Sequence, residues 1–173
     1  LNARDNLVYD HLYSYGSRSV SIWTENAKQN GLDLVWDSGD HFEQHIAKNH
    51  PEIFNFNHEE AGLDNRSDNK GPEPEGVTVG KIGEKTFAFI GLERVGGVMV
   101  YDVSTPTKPI FVQYINSREF KADTNAIEAG LAGDLGPEGL VFITAKDSPN
   151  GQPLLVVGNE VSGSTAIYQV TLK

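Results

Sequence analysis

The chain has 173 residues, 38% of them hydrophobic, enough for one globular domain with a buried core. Its formal net charge of −10 argues against nucleic acid as a partner, because phosphate-backbone affinity rests on clustered Lys and Arg that release condensed counterions. No cysteine is present, which excludes disulfides, thiolate catalysis and a thiolate zinc site.

No apolar run approaches the roughly 20 residues that span a bilayer. The residues from Leu1 onward show no signal-peptide pattern, so targeting segments are expected to have been removed or to lie elsewhere. Eighteen glycines and eight prolines against one methionine point to a turn-rich, all-β chain.

Residues 6–48 form a first repeat unit, recognised by its match to the second: Trp23 aligns with Tyr101, Trp36 with Tyr114 and Phe42 with Phe120, each at an offset of 78. Its first part is expected to be missing from this sequence. Within residues 40–49, His41 and His45 have the i, i+4 spacing of one helical face. Zinc there would need Glu43 or His50 as well, and a solvated short helix is the plainer reading. Residues 49–71, rich in Asn, Asp, His and Pro, read as a loop insertion and the place to look for function.

The second unit, residues 72–120, alternates apolar runs with turn signals. Strands are expected at 76–82, 86–92, 98–103 and 110–115, separated by Gly-Glu-Lys, Gly96-Gly97 and a Thr-Pro-Thr-Lys-Pro turn. The third unit, residues 135–173, echoes it. Pro137-Glu138-Gly139 repeats Pro74-Glu75-Gly76 at an offset of 63, and Val156-Val157-Gly158-Asn159-Glu160 repeats Phe89-Ile90-Gly91-Leu92-Glu93 at 67, with four extra residues in the turn at 146–153.

Four antiparallel strands per unit of this period predict blades of a β-propeller, with an irregular β-sandwich as the alternative. Closed propellers use about four to eight blades, and about three are present in part. The 173 residues are therefore expected to form a single partial propeller, the C-terminal portion of a larger one. Its open blade edges would meet the remaining blades of the full-length protein or drive self-association.

The runs Asp64-Asn65-Arg66-Ser67-Asp68-Asn69-Lys70-Gly71-Pro72-Glu73-Pro74-Glu75-Gly76-Val77, Phe89-Ile90-Gly91-Leu92-Glu93-Arg94 and Gly97-Val98-Met99-Val100-Tyr101-Asp102 resemble the choice-of-anchor I family of bacterial surface and secreted proteins. Leu135-Gly136-Pro137-Glu138-Gly139 and residues 149–163 extend the likeness, which covers the chain from about Tyr13 onward. The resemblance implies a propeller-like fold, a secreted, periplasmic or cell-surface location, and varied C-terminal anchoring signals. Many members carry an alkaline phosphatase-like label.

For metal, Asp64, Asp68, Glu73 and Glu75 gather hard oxygen ligands of the kind calcium or another divalent cation prefers, without the EF-hand spacing. Glu75 and Glu138 recur before one strand of the repeat, Glu93 and Glu160 after the next, so these acids would collect at one end of the blades. The alternative role for each is accepting hydrogen bonds from turn amides. Asp37-Ser38 and Asp147-Ser148 lack the Asp-Ser-Ala pattern of alkaline phosphatases and read as turns. Two functions are carried forward. The first is an extracellular binding or scaffold module without a secure catalytic site; the second is a metal-dependent phosphoesterase with its site at the propeller axis.

Overall fold

The structure is a computed structural model that describes residue 11, residues 16–28 and residues 30–172. The start of the first repeat unit, at residues 6–10, lies outside the described residues. Among the described residues, nine strands form three antiparallel sheets; the third sheet packs on one face of the second, and the helix and loop that follow the first sheet, with Trp36, cover the other.

The first sheet is the hairpin β1 (Ser21–Asn26) and β2 (Gly31–Asp37), followed by helix α1 (His41–Asn49). Phe42 and Ile46, one helical turn apart, turn α1 toward the core, and Pro51 lies just past its end, where a prolyl ring disfavours further helix. A 3-10 turn, Pro51–Ile53, opens the insertion.

The second sheet is a meander of β3 (Pro74–Ile82), β4 (Lys85–Leu92), β5 (Val98–Asp102) and β6 (Ile110–Ile115), in that spatial order. These bounds lie within two residues of the expected strands. A short helix, α2 (Thr124–Glu128), starts where the Asp123 side chain accepts the Ala126 amide at 2.9 Å. The third sheet holds β7 (Pro137–Ile143), β8 (Leu154–Asn159) and β9 (Ser164–Gln169), again a meander.

Strands β4 and β5 are buried almost throughout, because both faces of the second sheet are covered. On one side Ala88, Ile90, Leu92, Met99 and Tyr101 pack with Phe42 and Ile46 of α1, Ile53 and Phe56 of the insertion, and Trp36 of β2. On the other, Phe87, Phe89, Val98 and Val100 pack with Leu155 and Val157 of β8, flanked by Leu140 and Phe142 of β7. The alternation of β4 is thus real but hidden, since each face buries against a different layer.

The second and third sheets approach closely where glycine replaces a side chain. A Cβ on Gly80 would lie 2.5 Å from Phe142 Cδ2, and one on Gly76 2.6 Å from Leu140 Cδ1. The Phe142 ring stacks on Phe89, with centroids 5.7 Å apart and planes 15° from parallel.

The repeat is visible in the pairing. A register shift follows Pro74 in β3 and Pro137 in β7, and another falls at Ile22/Trp23 in β1 and at Val100/Tyr101 in β5, 78 residues on. One expected alignment is corrected by register. Ile22 pairs with Trp36 as Val100 pairs with Gln113, so the counterpart of Trp36 is Gln113, and Tyr114 corresponds to Asp37. A slip of one residue exchanges faces, which is why Trp36 packs toward the second sheet while Tyr114 turns toward α1.

Candidate functional site

Three of the seven nominated carboxylates come together. Glu73 lies between the insertion and β3, Glu75 in β3 and Glu93 just past β4, and one oxygen of each lies within 4.8 Å of the others. The pairing of β3 with β4 sets this juxtaposition: Pro74 lies opposite Leu92, so the residues flanking that pair meet at one end of the sheet. The Glu93 amide donates to the Glu73 carbonyl at 2.8 Å, fixing the crossing.

The remaining four do not join them. Asp64 accepts the Ser67 hydroxyl within the insertion, and Asp68 is exposed. Glu138 and Glu160 are exposed at the corresponding end of the third sheet, where the Glu160 amide donates to the Gly136 carbonyl at 2.7 Å, as Glu93 does to Glu73.

Cations surround the cluster. Lys70 and Arg94 Nε both pair with Glu73, and Arg94 Nη2 lies 3.4 Å from Glu93 Oε1. Burial pushes the Glu73 carboxyl up, but the hydrogen bonds and charges of Lys70 and Arg94 outweigh it and hold Glu73 below its ordinary range. Glu93 goes the other way. Its side chain is 8% exposed, and burial, a hydrogen bond with Glu75 and the charge of Glu73 push its carboxyl up to about 8. At neutral pH Glu93 therefore keeps a proton and donates it to Glu75.

His58, absent from the expected set, completes the network. Its ring accepts from Arg94 Nη1 at 2.5 Å and lies 3.6 Å from Glu93. Accepting from a guanidinium requires a neutral imidazole, and burial with the charge of Arg94 pulls its pKa down to about 4. Arg118 is buried beside it: Nη2 donates to the Asn57 carbonyl at 2.7 Å, Nη1 to the Arg94 carbonyl at 3.2 Å, and the guanidinium lies 4.9 Å from the Phe56 ring centroid. Its pKa is pulled down to about 10, chiefly by burial. Nothing in the local sequence marks His58 or Arg118, because their partners lie 36 and 61 residues away.

Counting Glu93 as protonated, two carboxylates face two cations, and a neutral histidine fills the interior. A cleft of about 200 Å³ lined by Ser17, Lys70, Glu73 and Glu75 opens the cluster to solvent. Chemically, the group can exchange the proton of Glu93 for a cation bound by hard oxygens.

The histidines of α1 serve packing. His41 Nδ1 meets the Tyr101 hydroxyl at 2.5 Å, His45 lies against Phe111 with centroids 4.6 Å apart, and Glu43 is engaged by Arg18 and Asn55 on another side. The serines of the Asp-Ser pairs close turns. Ser38 Oγ accepts the Val20 amide at 3.0 Å, and Ser148 Oγ donates to Asn150 Oδ1 at 2.7 Å. No helix among the described residues is long and apolar enough to cross a membrane.

Among curated proteins, the chain is 30% identical over 171 residues to Gigasin-3a of Magallana gigas, covering 94% of this chain and 59% of that protein. It is 25% identical over 177 residues to the mesenchyme-specific cell surface glycoprotein of Strongylocentrotus purpuratus, covering 96% of this chain and 23% of that one. Both relatives are animal proteins, so the likeness reaches beyond bacteria. No solved structure matches. The choice-of-anchor I domain model matches residues 2–106, including the insertion, Glu73, Glu75 and Glu93, and the chain belongs to that family.

Proposed function

We propose that the chain is a non-catalytic binding and scaffold module of a surface-associated or extracellular protein, its sheets stacked as blades of a propeller. Family membership and the cell-surface glycoprotein among its relatives support the location. The propeller reading draws on the repeat. Val156 and Ile167, opposed on the outer face of the third sheet, occupy the repeat positions of Phe89 and Val100, which the second sheet buries against the third.

The observation that carries the scaffold role is the saturation of the carboxylate cluster by its own chain. Glu73 is held by Lys70 and Arg94, and Glu93 by Glu75, so these groups tie the end of the insertion to β3 and β4. A turnover assay tests this. With p-nitrophenyl phosphate and calcium, magnesium or zinc supplied from pH 5 to 9, hydrolysis stays at the buffer rate; turnover that disappears in Glu75→Gln replaces this reading with the metal-dependent phosphoesterase.

Calcium binding is the second reading, favoured by the three oxygens within 4.8 Å. A cation would take the place of the proton that Glu93 shares with Glu75. At pH 8, saturating calcium then raises the melting temperature of the wild type, by linkage of roughly 2.7 kcal/mol at a hundredfold excess over Kd, and leaves Glu93→Gln unmoved. An unchanged wild-type melting temperature removes the cation.

A further inference from the structure

Packing occupies the ring faces of the α1 histidines and one nitrogen of each. The Tyr101 hydroxyl meets His41 Nδ1, and Asn49 Nδ2 lies 3.4 Å from His45 Nδ1. Among the described residues neither Nε2 has a hydrogen-bond partner, and neither is among the buried polar atoms left without one, so both face solvent. Four residues apart, the two side chains stand on one face of the helix with ring centroids 6.0 Å apart. Their orientation is set by the second sheet. His41 lies 5.1 Å from the Phe111 centroid and edge-on to Tyr101 at 5.8 Å, and His45 lies 4.6 Å from Phe111.

Neighbouring groups leave this pair to itself. Glu43 is taken by Arg18 and Asn55 at 2.9 and 2.7 Å, and Asp40 by Gln44 at 2.7 Å. His50, whose amide ends the helix by donating to the Ile46 carbonyl at 2.8 Å, stands 6.2 Å from His45 and makes no ring contact with His41. Among the described residues no three groups around α1 bring ligand atoms within 4.8 Å of one another, so His50 flanks the pair and does not complete a cage.

We propose that His41 and His45 form a two-nitrogen clamp for a divalent transition-metal ion of the imidazole-binding class, copper(II) foremost, with water in its remaining positions. Imidazole suits copper, nickel and zinc rather than calcium or magnesium, and copper(II) heads the affinity order. A zinc-sized ion held at about 2.0–2.1 Å by two imidazoles sets their centroids roughly 5 Å apart. The 6.0 Å found here is about 1 Å wider, a closure that small χ rotations of half-buried rings supply. The Tyr101 contact at Nδ1 does for His41 what an outer hydrogen bond does for a metal-bound histidine: it fixes the ring and leaves Nε2 for the ion. The carboxylate cluster offers hard oxygens instead, so the two places select different ions.

The inference stands apart from the scaffold reading, since neither turnover nor a calcium shift reports on these histidines. The test titrates the full, untagged chain with copper(II) by calorimetry at pH 7.5, where imidazole is mostly neutral, and follows the histidine ring protons by NMR. One saturable equivalent is expected at micromolar copper, unaffected by millimolar calcium, with paramagnetic broadening of His41 and His45 ahead of His11, His50 and His58. His45→Gln and His41→Gln each weaken binding at least tenfold, and His50→Gln less than threefold. Circular dichroism reports the fold of each variant, and the broadening in the wild type decides the matter where a variant fails to fold. Absence of a saturable equivalent overturns the proposal, as does binding indifferent to His45→Gln. So does a loss with His50→Gln in place of His41→Gln, or broadening that begins at another histidine.

Discussion

Gly80 provides the sharpest test of how the sheets are stacked. Its replacement by alanine places a Cβ 2.5 Å from Phe142 Cδ2, about 1–1.5 Å inside an ordinary contact of roughly 3.5–4.0 Å. The ring cannot retreat freely, because it stacks on Phe89 at 5.7 Å in the interface of the second and third sheets. Overpacking of this kind costs about 1–3 kcal/mol. Gly80 does not have a positive φ, so no backbone strain is added, and the lower entropy of the unfolded alanine chain returns about 0.4–1 kcal/mol. The net expectation is a loss of about 1–2 kcal/mol, read by urea denaturation followed by circular dichroism, or a melting temperature lower by roughly 2–8 °C for a chain of this size. Phe142→Leu in the Gly80→Ala background should recover part of the loss, giving a favourable coupling of at least ~0.5 kcal/mol in a double-mutant cycle. A Gly80→Ala chain as stable as the wild type, with no coupling to position 142, would refute the close approach of the two sheets.

Further outcomes follow from the carboxylate cluster and its surroundings. Glu93 keeps its proton in the folded chain between its ordinary 4.5 and about 8 while the unfolded chain loses it, so stability falls as pH rises through that window. Glu93→Gln removes the slope and makes the chain more stable than wild type at pH 8, on the order of 2 kcal/mol, measured by melting at pH 5, 6.5 and 8. His58 acts at the other end: the unfolded chain takes up a proton below 6.5 and the folded chain only near 4, so stability is lost as pH falls between them. His58→Gln flattens that acid limb, whose depth in the wild type is on the order of 3 kcal/mol. Arg118→Met leaves the Asn57 and Arg94 carbonyls without a donor, costs about 1–3 kcal/mol, and exposes residues 49–71 to limited proteolysis before the sheets unfold.

Local pattern made the strands legible. Alternating β-branched and aromatic residues between Gly and Pro turns located β3 to β6 within two residues, and the Pro-Glu-Gly echo located β7, because hairpin-forming signals act over a few residues. Helix α2 was not anticipated: five residues are too few to display a helical period, although Asp123 before Thr124 is a capping signal. The alignment of Trp36 with Tyr114 failed for a related reason. Aromatic identity does not report which face a residue occupies when a bulge intervenes, and only pairing fixes that.

The seven nominated acids show where sequence stops. Repetition and hard-oxygen chemistry were enough to single out Glu73, Glu75 and Glu93, but not to separate them from Asp64, Asp68, Glu138 and Glu160. That separation comes from the register of β3 against β4, which carries Glu75 and Glu93 to one end of the second sheet. It also comes from Lys70, Arg94 and His58, which meet the acids only once the insertion folds back over that end. By itself the sequence determined the all-β class, the repeat and the family, since those reside in short-range pattern. The tertiary structure alone decided which faces are buried and which carboxyl keeps its proton, because each depends on groups brought together from distant parts of the chain.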